Sequence, residues 1–263
     1  MKSYKLKKNF TFNYKLILLI VMLVLLLIIY LICIKKNNKK VLVEKFENND
    51  GINSADKILF INLDNRKDRL ESITNQFKNQ NINMDKVHRI TAHYTPGNGH
   101  YGCAKSHLDA IKYAQENDFK NVIVFEDDFK FTTTPEKTKE MFNNLFNNLN
   151  ESEWDVILFT EMYAKKENTK YSFLNKITEA QTSSGYIVNK NYYPKLIEVF
   201  QKCVDNMTQE KTTGVNWEQW ALDQAWKVNQ KEDRWFVFNP LMGEQDKELI
   251  STIETITNYN NKK

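Results

Sequence analysis

The stretch NVIVFEDDFK at residues 121–130 joins four consecutive apolar residues to three consecutive carboxylates, Glu126, Asp127 and Asp128. Such a run predicts a buried strand that ends in a negative cluster. In an α/β sheet, ligands bind at the carboxyl ends of the strands. Clustered carboxylates repel one another and lose solvation when buried, so we expect a divalent cation or a positively charged group to neutralise them. A solvated acidic turn after an ordinary core strand is the alternative.

The N-terminal part of the chain carries one long apolar segment, LILLIVMLVLLLIIYLICI, at residues 16–34. About 20 such residues are needed to cross a bilayer. The segment exceeds the roughly 7 to 15 apolar residues of a cleaved signal peptide, and no small-residue cleavage site follows it. We therefore predict a transmembrane signal anchor at residues 16–34, in contact with the lipid bilayer. Lysines flank both ends of it, so the charge bias does not decide the orientation.

Composition narrows the class of the remaining chain. A length of 263 residues predicts a single domain with an appendage. The formal charge of +4 comes largely from the lysines beside the apolar segment, and no basic stripe predicts binding to nucleic acid. Three cysteines allow at most one disulfide, which excludes a small secreted scaffold built on several bridges.

Strand and helix patterns alternate along the rest of the chain. Apolar runs predict strands at residues 57–63, 87–90, 122–125, 154–159, 185–188 and 234–238. Helical spacing predicts helices at 68–79, 103–115, 135–149, 192–203 and 217–228. This succession predicts an α/β domain at residues 57–245, with a mainly parallel central sheet and helices on both faces. A cytosolic tail at 1–15, a polar stem at 35–56 and a polar tail at 246–263 complete the predicted organisation.

Three motifs stand in order at INLDNRKDRLESI (61–73), GCAKSHLDAIKYA (102–114) and VIVFEDDF (122–129). In this order and spacing they resemble glycosyltransferase family 25, which includes lipopolysaccharide glycosyltransferases and procollagen galactosyltransferases. SSGYIVNK (183–190) and LDQAW (222–226) are similar to weaker C-terminal blocks of that family. The resemblance implies a GT-A-like nucleotide-sugar-binding domain. It also implies transfer of a sugar, typically galactose or another hexose, from a nucleotide donor with inversion. We expect the hexose to be galactose or glucose, the donor to be UDP-linked and the acceptor to be a protein or a glycan.

The acidic triplet is the metal site that the resemblance implies. Transfer from a nucleotide sugar requires the charge of the departing diphosphate to be stabilised, and a hard cation held by one or two carboxylates does this. Asp128 is the first candidate for direct contact with a divalent cation, for which we predict Mn²⁺. Glu126 lies two positions earlier, on the same side of an extended chain, and is the second candidate ligand. Asp127 then points elsewhere, towards the sugar or ribose of the donor.

Further donor-binding candidates follow the first strand. Asn62, Asp64, Arg66 and Arg69 provide amide, carboxylate and guanidinium groups at the ligand edge of the sheet, and arginine suits bidentate contact with phosphate. Pairing of each arginine with a nearby acidic residue is the alternative, and the family resemblance favours a functional role for Arg69.

The motif at 102–114 supplies a second group of donor-binding candidates, Gly102, Ser106 and His107. They stand at the start of a predicted helix, where backbone N–H groups and the helix dipole attract phosphate. A structural hydrogen bond is the alternative role for His107. Cys103 is interpreted as a small buried hydrophobic residue.

Inverting transfer also needs a general base for the acceptor hydroxyl. Asp223 is the preferred candidate, with Glu218 and Glu161 as rivals. Asp223 and Glu218 lie in WEQWALDQAW at residues 217–226, whose tryptophans either stack on a sugar ring or pack in the core.

Two other function classes stay open. A methyltransferase, in which an acidic strand end binds ribose, is disfavoured because INLDNR lacks a glycine-rich loop after the first strand. A catalytically inactive membrane-anchored scaffold that keeps the glycosyltransferase fold is the other alternative. For the enzyme we expect a single-pass type II protein with a lumenal catalytic domain, in an ER- or Golgi-type membrane or a viral membrane.

Overall fold

The computed structural model describes residues 14–48, 50–213 and 217–249, with side chains described at 17–36, 50–207 and 219–249. The chain divides into two compact units, residues 1–48 and 49–263. Most of the predicted cytosolic tail and most of the polar tail lie outside the described residues.

The first unit contains helix α1 (Tyr14–Asn48). Its segment Ile17–Lys36 is long and apolar enough to cross a membrane, and it lies near the N-terminus, where a signal sequence has the same character. The predicted stem at 35–56 differs from the structure, because α1 continues through most of it to Asn48. Residues 50–56 belong to the second unit instead, where the 3-10 helix Gly51–Ser54 buries Ile52 in the core.

The second unit alternates helices and strands. Its helices are α2 (Lys67–Asn79), α3 (Gly99–Glu116), α4 (Pro135–Asn148), α5 (Tyr193–Thr213), α6 (Leu222–Ala225) and α7 (Lys227–Glu232). Its strands are β1 (Lys57–Asn62), β2 (Val87–Thr91), β3 (Asn121–Glu126), β4 (Phe129–Phe131), β5 (Val156–Leu158), β6 (Met162–Asn168), β7 (Leu174–Gln181), β8 (Gly185–Asn189), β9 (Trp235–Phe238) and β10 (Gly243–Gln245).

The central sheet has the strand order β2-β1-β3-β8-β5-β9-β7-β6. β1 pairs in parallel with β2 and β3, and β5 pairs in parallel with β9. β8 is antiparallel to β3 and β5, and β7 is antiparallel to β9 and β6. Within the described residues, six of the eight strands therefore run in one direction, as the predicted mainly parallel sheet requires.

Each face of the sheet is covered by helices, because alternate residues of the strands are apolar on both sides. Leu59 and Val124 lie in a core cluster with residues of α3 and α5, and Ile58 and Ile123 lie in a second cluster with residues of α2 and α4. The helix predicted at 103–115 turns one apolar face of four buried residues towards the sheet. The members of that face are Ala104, Leu108, Ile111 and Ala114.

Two parts of the unit differ from the sequence prediction. The hairpin of β6 and β7 was not predicted, because most of β6 is exposed at the sheet edge and lacks apolar alternation. The predicted helix at 217–228 is broken into the 3-10 helix Trp217–Trp220, α6 and part of α7. The backbone leaves the helical conformation at Ala221, and Trp226 separates α6 from α7. Trp226 is fully buried between Tyr186 and Trp235 and therefore packs in the core.

Candidate active site

A cleft opens at the carboxyl ends of β1, β2 and β3. Its walls come from the ends of these strands, the loop after β2, the first turns of α3, one residue of α2 and one residue of β10. The lining residues are Ile61, Leu63, Arg69, Ala92, His93, Tyr94, Thr95, Gly99, Gly102, Cys103, Ser106, His107, Glu126, Asp127, Asp128 and Gln245.

Arg69 neutralises part of the acidic triplet. Its Nη1 donates to Asp127 Oδ1 at 2.7 Å and to Asp128 Oδ2 at 3.1 Å, and all three side chains are buried. Asn62 Nδ2 donates to the second oxygen of Asp127 at 2.7 Å. Both oxygens of Asp127 are therefore engaged by the protein, and this carboxylate fixes the position of the guanidinium.

Asp128 keeps one carboxylate oxygen available. Its Oδ2 accepts hydrogen bonds from Arg69 and from Gln245 Nε2. Its Oδ1 is buried and makes no hydrogen bond within the described residues. Burial and the charge of Glu126 raise the pKa of Asp128 from 3.8 to about 7, against the opposing effect of Arg69. The single positive charge of Arg69 does not balance the three carboxylates of the acidic triplet. The residues present therefore fit a hard divalent cation.

The raised pKa of Asp128 predicts a pH dependence of stability. A carboxyl whose pKa is higher in the folded state stabilises the fold fully below the unfolded pKa, and this contribution is lost as the pH rises through the folded pKa. We expect the free energy of unfolding of the wild type, relative to Asp128→Asn, to decrease between about pH 4 and pH 7. Unfolding of both proteins with a chelator, at several pH values, measures this difference. A difference that is flat with pH would contradict the assignment.

Glu126 lies in a different environment from its neighbours. Its Oε1 accepts a hydrogen bond from Ser183 Oγ at 2.6 Å and lies 3.4 Å from His107 Nε2. Burial raises the pKa of Glu126, but His107, Ser183 and Arg69 together outweigh it, and the net pKa is lowered. Of the three carboxylates in the acidic triplet, Glu126 is therefore the one that stays ionised most readily.

His107 is held by β8. It is fully buried on α3, and its Nδ1 forms a hydrogen bond of 2.8 Å with the hydroxyl of Tyr186. Cys103, one helical turn earlier, lines the cleft and is half-buried, so it is more than the buried hydrophobic residue that the sequence suggested. Burial and the charges of Glu126 and Asp223 raise the pKa of the Cys103 thiol. Cys103, His107 and Glu126 form a group that could hold a metal ion.

The start of α3 is tied to the loop after β2. Ser106 Oγ donates to the carbonyl of Gly102 at 2.6 Å and accepts from the backbone N–H of His93 at 2.9 Å. The Asn98 side chain caps the helix by accepting from the backbone N–H of Tyr101. This rigid connection directs the N-terminal end of α3, with its partial positive charge, at the cleft.

Gly102 is required where α3 meets this loop. A Cβ at residue 102 would lie 2.3 Å from the carbonyl oxygen of His93. We expect Gly102→Ala to displace the loop and to reduce the free energy of unfolding by about 1–3 kcal/mol, as overpacking does. Gly97→Asn is the control, because nothing lies within 4 Å of its Cβ and asparagine tolerates its positive φ. Thermal unfolding measures both, and equal stability of Gly102→Ala and wild type would contradict the close contact.

The remaining candidates after β1 lie outside the lining of the cleft. Asp64 is exposed and pairs with Arg89 at 2.6 Å, and Arg66 pairs with Asp68 at 2.8 Å. Asn62 is buried beneath the cleft, where it supports Asp127. The structure therefore brings Arg69 into the cleft and leaves Asp64 and Arg66 beside it.

The three candidate bases have different surroundings. Asp223 Oδ2 accepts from the backbone N–H of Thr182 at 3.1 Å, one residue before the serine that contacts Glu126. Asp223 thus lies at the same sheet edge as the acidic triplet. Glu161 pairs with Lys166, and its Oε2 is buried without a hydrogen-bond partner in the described residues. Glu218 lies in the 3-10 helix Trp217–Trp220, and its side chain is outside the described part of the chain.

The sequence did not single out two residues that complete the site, Ser183 and Gln245. Ser183 immediately precedes the turn into β8, which inserts antiparallel beside β3. Gln245 reaches Asp128 because β10 pairs with β4. The pairing is so close that a Cβ at Gly243 would lie 2.3 Å from the ring of Phe129. No local sequence pattern predicts the pairing of β8 with β3 or of β10 with β4. Cys103 had a signal, since it stands four residues before His107 and therefore on the same helix face.

A protein-family model described as glycosyltransferase family 25 (LPS biosynthesis protein) matches residues 85–212. This part of the chain is similar to glycosyltransferase family 25. The matched residues cover just under half of the chain and include α3, β3 and β8, which carry the acidic triplet, Cys103, His107 and Tyr186. The resemblance stated from the three motifs is confirmed over these residues.

Several solved structures are similar to this chain. The glycosyltransferase GlyE from Streptococcus pneumoniae TIGR4 is 10% identical with a TM-score of 0.40, over 70% of this chain and 45% of that one. A197 from STIV is 11% identical with a TM-score of 0.38, over 75% and 97%. Mannose-1-phosphate geranyltransferase from Thermus thermophilus is 8% identical with a TM-score of 0.38, over 72% and 75%. The chain spans less than half of the GlyE structure, and no curated protein sequence matches it.

Proposed function

We propose that the chain transfers a hexose, galactose or glucose, from a UDP-linked donor to a protein or glycan acceptor, with inversion. The observation that carries the proposal is the buried, unpartnered Oδ1 of Asp128 in a cleft of the family 25 region. A free carboxylate oxygen beside the N-terminal end of a helix suits a cation together with a diphosphate.

Asp128 and Glu126 are the proposed ligands of a divalent cation, for which we propose Mn²⁺. When bound, such a cation supplies charge stabilisation to the departing diphosphate. The start of α3 supplies backbone N–H groups on the same side of the cleft, near Gly102. Arg69 stays engaged with Asp127 and Asp128 and holds both carboxylates in place.

Asp223 is the proposed general base. In the transfer step the acceptor oxygen forms a bond to the anomeric carbon while the bond from that carbon to the diphosphate breaks. The acceptor proton passes to the Asp223 carboxylate, and the electron pair of the broken bond leaves with the nucleoside diphosphate. The place of Asp223 at the edge that carries Glu126 and Ser183 supports this role.

The apolar helix α1 supports a single-pass anchor in the bilayer. We propose a type II arrangement with a lumenal catalytic domain, in a secretory or viral membrane, and the domain organisation given from the sequence, with the domain starting near residue 50. One observation favours the alternative of an inactive scaffold, since Arg69 already stabilises two of the three carboxylates without any cation.

Donor turnover by the full-length chain in detergent tests the proposal. Release of nucleoside diphosphate is measured over a panel of nucleotide sugars, with Mn²⁺ and with a chelator. We expect one UDP-hexose to be turned over in a metal-dependent manner, and an acceptor panel to raise the rate. Binding of a donor without turnover in the presence of any acceptor would favour the scaffold, and absence of binding would refute the proposed donor class.

A further inference from the structure

Three side chains of different chemistry converge on one wall of the cleft. Cys103 Sγ, a ring nitrogen of His107 and a carboxylate oxygen of Glu126 all lie within 4.8 Å of one another. His107 Nε2 and Glu126 Oε1 are 3.4 Å apart. Cys103 and His107 come from successive turns of α3, and Glu126 ends β3, so two rigid elements fix the group.

One polar atom of this group has unused bonding capacity. His107 is fully buried, and its Nε2 has no hydrogen-bond partner within the described residues. Its Nδ1 is occupied by the hydroxyl of Tyr186 at 2.8 Å. In the tautomer that carries its proton on Nδ1, Nδ1–H donates to Tyr186 and the lone pair of Nε2 faces the carboxylate of Glu126. In that state a cation between the two acceptors satisfies both, as a proton on Nε2 does in the other tautomer.

We propose that Cys103, His107 and Glu126 form a binding site for a borderline-soft divalent cation such as Zn²⁺. Sulfur, imidazole and carboxylate ligands together suit Zn²⁺ and not Mg²⁺ or Mn²⁺, which select oxygen. Tetrahedral coordination at Zn–N and Zn–O distances near 2 Å places the two ligand atoms about 3.3 Å apart, close to the 3.4 Å between His107 and Glu126. Cys103 lines the cleft, so the fourth position opens towards it.

Neighbouring groups orient the ligands of this Zn²⁺ site. Tyr186 holds the imidazole through Nδ1, and Ser183 Oγ holds Glu126 Oε1 at 2.6 Å. Partners of this kind fix the ring orientation of a metal-binding histidine, and their loss costs about 10- to 100-fold in metal affinity. The site therefore has both its ligands and the residues that support them.

The Zn²⁺ site shares Glu126 with the proposed hard-cation site but does not use Asp128. Occupancy by Zn²⁺ removes Glu126 from the donor-binding arrangement, and so Zn²⁺ inhibits donor turnover. This consequence rests on the proposed function, whereas binding of Zn²⁺ to the three side chains does not.

Absorption spectra of the Co²⁺-loaded full-length chain test the site without any donor. We expect a near-ultraviolet thiolate-to-cobalt band and the visible bands of four-coordinate Co²⁺, both removed by Zn²⁺. Cys103→Ser should lose the thiolate band. Cys203→Ala and Cys33→Ser should keep it, because Cys203 is buried in the core away from the cleft and Cys33 lies in α1. Tyr186→Phe should keep the band but weaken Zn²⁺ binding about 10- to 100-fold.

Alkylation of the wild-type chain provides a second readout that needs no variant. Zn²⁺ should slow the reaction of iodoacetamide with Cys103, mapped by mass spectrometry, and leave the reaction of Cys33 unchanged. Any of three results would overturn the proposal. They are the absence of a thiolate band in the wild type, persistence of the band in Cys103→Ser, and an alkylation rate of Cys103 that Zn²⁺ does not change. None of these readouts depends on turnover, so failure of the proposed function leaves them interpretable.

Discussion

Asp128→Asn should lower donor turnover by about 10²- to 10³-fold, the usual cost of removing one group that stabilises charge in the transition state. The substitution keeps the shape of the side chain and an oxygen that accepts from Arg69 and Gln245. It removes the negative charge and one of the two carboxylate oxygens, and with them the ligand that the buried Oδ1 offers. Release of nucleoside diphosphate at saturating Mn²⁺ measures the effect.

Asp118→Asn is the matched control for this variant. Asp118 precedes β3 at the opposite end from the cleft, its side chain is 81% exposed, and asparagine suits its positive φ. We expect Asp118→Asn to retain wild-type turnover. Retention of turnover by Asp128→Asn as well would show that Asp128 is not a ligand in catalysis, and the acidic triplet would then be a structural cluster.

Arg69→Met should reduce the free energy of unfolding by about 3–5 kcal/mol, the cost of removing one partner from a buried ion pair. The methionine fills much of the same space but leaves Asp127 and Asp128 buried without the guanidinium that contacts both. Because protonation removes the uncompensated charge, the loss should be smaller at pH 5 than at pH 8. Chemical unfolding at the two pH values measures both expectations.

Arg66→Met provides the control at the start of the same helix. Its partner Asp68 is 56% exposed, and exposed pairs contribute about 0–1 kcal/mol. We expect this variant to remain within about 1 kcal/mol of the wild type. Equal losses for Arg66→Met and Arg69→Met would mean that solvent screens the buried pair, and the electrostatic account of the cluster would be wrong.

Much of the site follows from local sequence patterns. The apolar run at residues 122–125 and the helical spacing of the motif at 102–114 place Glu126 and His107 at one edge of a sheet, and the structure agrees. Arg69, Ile73 and Phe77 are four residues apart, so they share the buried face of α2. Arg66 precedes α2, so this spacing does not apply to it.

The rest of the site depends on contacts between distant parts of the chain. Ser183 reaches Glu126 across 57 residues, and Gln245 reaches Asp128 across 117. Both contacts require strand pairings that no local period encodes, because β8 inserts antiparallel between parallel strands and β10 consists of three residues. The tryptophans near Asp223 are ambiguous in the sequence, because a tryptophan either stacks on a sugar ring or packs in the core. The structure places Trp226 in the core.

The most direct test is the anomalous scattering of Mn²⁺ in crystals of the chain grown with Mn²⁺ and UDP. The account predicts a Mn²⁺ peak at about 2.1 Å from a carboxylate oxygen of Asp128, with the diphosphate between this ion and the start of α3. A diphosphate bound away from residues 126–128, or a Mn²⁺ ion that contacts neither Glu126 nor Asp128, would contradict it.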